Sequence, residues 1–169
     1  MIRFLRLALV VVSAVVLQTT LFTHLRIDGV APDVGLVATL AVGYEDGPEM
    51  GAWFGFVMGL AIDCFLTTPL GLSALSFALT GYAVGAFQSQ MVRSTHRVAP
   101  IVGFFGGLFG GLVFVTVGGL VGQSGFLSFE SLKTVLIAAV YDALIAIPIF
   151  PIVRRAARQP DHHHWRVRR

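Results

Sequence analysis

The residues able to do chemistry in this sequence are few, and most lie inside apolar runs. Asp63 and Asp142 are the two acids buried in such runs. An ionised Asp at the centre of a membrane helix costs about 3 kcal/mol on insertion scales. Such a group faces a protein interior or a wet cavity. Three roles are open to these two: a structural hydrogen bond, a partner or ligand site, and proton or ion transport. A transport relay needs a chain of acids, and this sequence has too few. Asp63 also sits near the C-terminal end of its helix, where a carboxylate opposes the helix dipole, so it needs a partner. Cys64 is the single cysteine and reads as a small buried hydrophobe, since it can form neither an internal disulfide nor a metal cluster. His162, His163 and His164 are adjacent in a basic tail, which is too little for a specific metal site. Phosphate-binding loops, zinc-protease helices and nucleophile elbows are missing. Polar groups are too sparse to build a nucleophile, a base and an oxyanion hole together. No catalytic, cofactor-binding or metal-ligating residue is therefore assigned, and the chain reads as a non-enzyme.

Glycines carry the stronger pattern. Gly51, Gly55 and Gly59 recur every four residues, and Asp63 continues the series on the same side of a helix. Gly103, Gly107 and Gly111 repeat that spacing, with Gly106 and Gly110 beside them, and Gly81 and Gly85 do so once more. Glycine at i and i+4 strips a helix face and lets another backbone approach closely. Two readings follow, and both can hold: packing within the bundle, and a groove for another protein's transmembrane helix.

The elements that must position these residues are apolar helices. Hydrophobic residues make up 56% of the 169 residues and charged residues only 12%, with a mean hydropathy of +0.82. A soluble fold of this size cannot hide so much apolar surface, so the excess faces lipid. The runs are apolar on every side, without the alternation of barrel strands. Six segments are predicted: about Phe4 to Phe22, Asp33 to Tyr44, Pro48 to Leu66, Leu70 to Met91, Val98 to Val121 and Ser131 to Val153. The first is read as an uncleaved helix. Glu45–Asp46–Gly47 and Thr67–Thr68–Pro69 read as tight turns. The second segment is the short one, rising about 17 Å. It is thinned, tilted, or partly re-entrant under cover of the other helices. Pro32–Asp33 and Pro48–Glu49 read as helix starts, and Pro148 and Pro151 as kinks.

This is an all-α, polytopic membrane bundle of about six transmembrane helices over residues 1–153, followed by a basic cytoplasmic tail, 154–169. The basic residues set its orientation. With both termini cytoplasmic, Arg3, Arg6, Arg93, Arg97, Arg154, Arg155, Arg158, Arg166, Arg168 and Arg169 lie inside. Only Arg26 and Lys133 of the 12 Lys and Arg residues then lie outside. The tail suits anionic headgroups.

The order of these signals resembles the rod shape-determining protein MreD family. Pro32–Asp33 opens the second helix. The run Gly51, Gly55, Phe56, Gly59, Leu60 and Asp63 follows, then Pro69–Leu70–Gly71, Ala74–Leu75 and Gly81–Tyr82. Tyr141–Asp142–Ala143–Leu144, Pro148, Pro151, Arg154 and Arg155 close it, with Asp142 where the family favours Asn. The resemblance implies a non-enzymatic subunit of the bacterial cell-elongation complex in the inner membrane. Its implied partners are MreC, RodA, the class B transpeptidase and, in many bacteria, MreB. The implied task is to help scaffold and regulate lateral peptidoglycan synthesis. Gly51, Gly55, Gly59, Asp63, Gly81, Tyr82, Gly103, Gly107, Gly111 and Asp142 are the candidate helix-packing or partner-binding residues.

The family is in turn distantly similar to the substrate-binding S-components of energy-coupling-factor vitamin transporters, which are six-helix proteins of similar size. That similarity supplies a second function, a small-molecule transporter component. The Ala-x-x-x-Ala docking motif of those proteins is missing, since Ala8 and Ala14 are six apart. They also need an outward pocket with convergent polar groups, and the sequence offers Asp63 with little near it. A proton- or ion-coupled carrier would need midplane acids and an internal repeat, and no convincing repeat is visible.

Overall fold

The computed structural model describes residues 2–20, 30–65, 69–88, 95–122 and 129–157. These form six helices: α1 Ile2–Thr20, α2 Val34–Asp46, α3 Pro48–Asp63, α4 Leu72–Phe87, α5 Thr95–Leu120 and α6 Phe129–Ala157. No β-strand occurs among the described residues.

The short second helix is the axle of the bundle. Every residue from Val34 to Tyr44 is buried, and α2 touches each of the other five helices. A helix that is apolar all round has no face for water and is stable only when fully surrounded. Its 13 residues rise about 20 Å, and they are a regular helix covered throughout by protein. Local chemistry sets both ends. Asp33 is the N-cap, its side chain accepting the Leu36 N–H at 3.0 Å. At the other end Glu45 and Asp46, expected in a turn, continue the helix. Gly47 alone makes the corner. Its φ of +92° is a left-handed conformation that favours glycine. Its N–H donates to the Gly43 carbonyl at 3.0 Å, and Pro48 starts α3 immediately, where its missing N–H costs nothing.

The long helices differ from the sequence reading at their ends. α5 begins at Thr95 and carries Pro100 inside it. α6 starts at Phe129 and runs four residues past Val153. Arg154 and Arg155 thus lie in its last turn, where cations complement the dipole, and the boundary drawn at 153 falls inside a helix. Arg154 Nε reaches Glu45 Oε1 at 3.8 Å, joining the C-terminal ends of α6 and α2. Residues 158–169, with His162–His164, lie outside the described residues, as do Arg26, Arg93 and Thr67–Thr68.

Two helices are long and apolar enough to cross a bilayer, over Val98–Leu120 and Glu130–Ala156. In their most apolar stretches only 33% and 28% of residues are buried. The core helix of a soluble protein would be mostly buried. Here Phe105, Phe109, Leu132, Leu136 and Leu144 all point away from the bundle. α1 behaves alike: Leu5, Leu9, Val12 and Val16 form an exposed stripe on it. The interior is made by α2 with Phe54, Met58, Ile62, Phe77, Val102 and Phe150.

Candidate functional site

The glycines of α3 face α4 along its whole length. A Cβ on Gly51 would lie 2.5 Å from the Gly81 carbonyl oxygen and 2.7 Å from the Gly43 Cα. One on Gly55 would lie 2.5 Å from the Phe77 carbonyl oxygen, and one on Gly59 2.5 Å from the Ala74 Cα. From the α4 side, a Cβ on Gly85 would lie 2.5 Å from the Pro48 Cα, and one on Gly81 would strike the Gly51 carbonyl. These are backbone contacts, and backbone has no rotamer with which to give way. The seam is antiparallel, and Gly43 brings α2 into it, so three helices meet backbone to backbone.

Asp63 ends that seam. It is 2% exposed. Its Oδ2 accepts the Gly71 N–H at 2.8 Å and the Ala74 N–H at 3.4 Å, and its Oδ1 accepts the Ser73 N–H at 3.2 Å. Gly71 occupies the N-cap of α4 and has no side chain to cap it. The carboxylate at the end of α3 thus serves the orphan N–H groups at the start of α4. The positive end of the α4 dipole also offsets the misplacement of Asp63 at the negative end of its own helix. Tyr82, beside Gly81, is 53% exposed and takes no part in the seam. On that outer face Ala52, Trp53, Phe56 and Ala78 line an almost wholly apolar groove of about 300 Å³ between α3 and α4.

Gly103, Gly107 and Gly111 face α6. A Cβ on Gly103 would lie 2.8 Å from the Asp142 carbonyl oxygen, one on Gly107 2.7 Å from Asp142 Oδ2, and one on Gly111 2.7 Å from Val135 Cγ1. Gly106 and Gly110 instead admit Leu40 and Leu36 of α2. Two of the three contacts on the α6 side are thus with side-chain atoms.

Asp142 is 1% exposed. Its Oδ1 accepts the Asp33 N–H at 2.9 Å. Gln18 at the end of α1 completes the junction: its Oε1 accepts the Val34 N–H at 2.9 Å, and its Nε2 donates to the Pro32 carbonyl at 3.2 Å. Three helices are thereby tied at the N-terminus of α2. Gln18 and Asp33 were not among the expected site residues. The Pro-Asp pair marked a helix start, which it is, but nothing local tells that its backbone meets a carboxylate 109 positions away.

The junction opens into a cavity of about 610 Å³ lined by all six helices. Gln18, Asp33, Ser73, Glu130, Ser131, Thr134 and Asp142 supply its polar groups. This corrects the expectation that the chain lacks a pocket with convergent polar groups. Asp63, the acid expected there, is absent from the lining, and Asp142 takes its place. Among the described residues no group of three or more His, Cys, Asp or Glu side chains converges to hold a metal.

The family model described as rod shape-determining protein MreD matches residues 1–159. No curated protein matches the chain, and no solved structure does, S-components included.

Proposed function

The chain belongs to the rod shape-determining protein MreD family, and from that premise we propose that it is a non-enzymatic scaffold of the cell-elongation complex. Members of this family are membrane proteins that determine rod shape. Within that frame our reading is that all six helices cross the bacterial inner membrane, with both termini and the tail 154–169 in the cytoplasm. Its partners are other membrane proteins of the complex: MreC, RodA, the class B transpeptidase and, where present, MreB. The protein helps place lateral peptidoglycan synthesis by holding these helices together. The observation that carries the reading is the family match over residues 1–159.

The geometry supports a particular docking face. The glycine faces that suit close helix contact are occupied within the chain, so they leave no groove for a partner. The outer face of the α3–α4 hairpin is different. Ala52 and Ala78 floor its groove, and exposed Trp53 and Phe56 rim it. Small residues flanked by aromatics suit a transmembrane helix, so we place MreC or RodA there. The transporter reading gains a cavity but no support from the comparisons.

The test is site-specific photocrosslinking in the native bacterium, from positions Ala78 and Phe56 and, as a control, from Leu144 on the exposed face of α6. Elongation-complex proteins captured from the first two and not from Leu144 support both function and face. Capture from Leu144 alone moves the face. Capture of a transporter ATPase and its coupling subunit overturns the function.

A further inference from the structure

The walls of the cavity at the α2 N-terminus gather acidic side chains and, among the described residues, no basic one. Asp142 Oδ1 is engaged by the Asp33 N–H, but Asp142 Oδ2 accepts no hydrogen bond from any described residue, although the side chain is 99% buried (1% exposed) and borders the cavity. Asp33, whose Oδ1 also caps the Leu36 N–H, lines the same space, and Glu130 stands at its exposed rim. No Lys, Arg or His is among the lining residues. A buried carboxyl at this depth is stabilised either by holding its proton or by a cationic partner, since water is scarce and the dielectric low. The remaining wall is apolar, with Leu36, Phe77, Phe114 and Val115 prominent.

Size narrows the occupant. About 610 Å³ lies in the range of small-molecule sites. It is far too roomy for a bare metal ion, which needs a close shell of oxygens, six to eight for calcium. We propose that this cavity binds the protonated amine of an amphiphile, its ammonium between Asp33 and Asp142 and its apolar body along Phe77, Phe114 and Val115. An ammonium brings three N–H donors and one positive charge, which suits a carboxylate oxygen left without a partner. The ammonium is carried either by an ethanolamine lipid headgroup or by a free amine. The inference goes beyond the scaffold role and holds whichever face meets the elongation complex.

The experiment uses the full-length protein in nanodiscs of phosphatidylglycerol, which carries no amine. Dodecylamine and dodecanol, which share one chain and differ in charge, are titrated while the unfolding midpoint and native mass spectrum are followed. Dodecylammonium is expected to raise the midpoint by several degrees and to appear as a one-to-one adduct, with dodecanol doing neither. Asp142→Asn is expected to remove the shift, and Ala138→Phe to block it by filling the cavity without altering charge. Either variant suffices if the other does not fold. Ethanolamine lipid retained from the native membrane assigns the lipid source, and a response to the free amine alone assigns the soluble one. Equal stabilisation by dodecanol, an undiminished shift in the folded variants, protection by inorganic cations alone, or density for a partner's helix in the cavity overturns the proposal.

Discussion

Two glycine ladders of identical spacing run through this molecule, and they build opposite things. On α3, Gly51, Gly55 and Gly59 meet a helix that brings its own glycines, Gly81 and Gly85, so backbones touch. On α5, Gly103, Gly107 and Gly111 meet a helix that brings Val135, Asp142 and Ala146. There the missing Cβ makes room for side chains at two of the three positions, at Gly107 for a carboxylate, while Gly103 also meets the Asp142 carbonyl. The first seam is closed, and its one acid, Asp63, is saturated by backbone donors. The second lies beside a cavity, and its one acid keeps an oxygen free of described partners. The spacing of small residues thus shows that two helices come close, while the partner helix decides whether the result is a lock or a chamber.

Substitutions can break that contrast, and the largest effect is expected at the closed seam. Gly55→Leu drives four carbons into the Phe77 carbonyl and the Thr39 side chain. Overpacking of yielding cores costs about 1–3 kcal/mol, and an unyielding backbone raises that. Gly55→Leu should therefore fail to accumulate as folded protein, read by size-exclusion profile in mild detergent, and should fail to restore rod shape. Next comes Asp63→Ala, which strands the N–H groups of Gly71, Ser73 and Ala74. Losing a cap and leaving buried donors costs about 1–3 kcal/mol. The variant should insert normally but melt earlier and complement shape weakly. Wild-type shape and melting together would refute the capping role.

A gentler change sharpens the comparison. Gly107→Ala places its methyl against Asp142 Oδ2, a side-chain atom that can move. It should cost about 1 kcal/mol or less by thermal melting, and clearly less than Gly51→Ala, whose methyl meets two backbones. Equal losses would show that the two ladders are mechanically alike. Cys64→Ala should be silent, within about 0.5 kcal/mol, because Cys64, expected to be buried, is instead exposed just past the end of α3 and bonded to nothing its replacement removes.

What the sequence made legible was local. Glycines four apart and the buried position of Asp63 follow from helical periodicity, so the seam could be anticipated on α3 and α4 separately. The partners of Asp63 could not, because they are backbone N–H groups, which every residue has. Asp142 and Asp33 stood out singly, but their meeting depends on α2 lying at the centre, between α1 and α6. That centrality was half visible: Val34 to Tyr44 has no polar side, yet a short apolar run alone suits a strand, a re-entrant piece or a buried helix equally. The exposed groove at Trp53 and Phe56 had no periodic signature, since lipid-facing and partner-facing apolar residues look the same in a sequence.

The one-residue corner at Gly47 bears on how the chain is made. α2 ends and α3 begins with a single residue between them, so there is no slack for the two to be delivered separately from the ribosome. α2, short and without a polar side, is covered only once α5 and α6 have been synthesised and close around it. Tethered at Gly47, it is until then one arm of a hairpin whose other arm exposes Trp53 and Phe56. The corner thus acts as a hinge pin during biogenesis, and lengthening it with a flexible insert should leave α2 prey to membrane proteases before the bundle is complete.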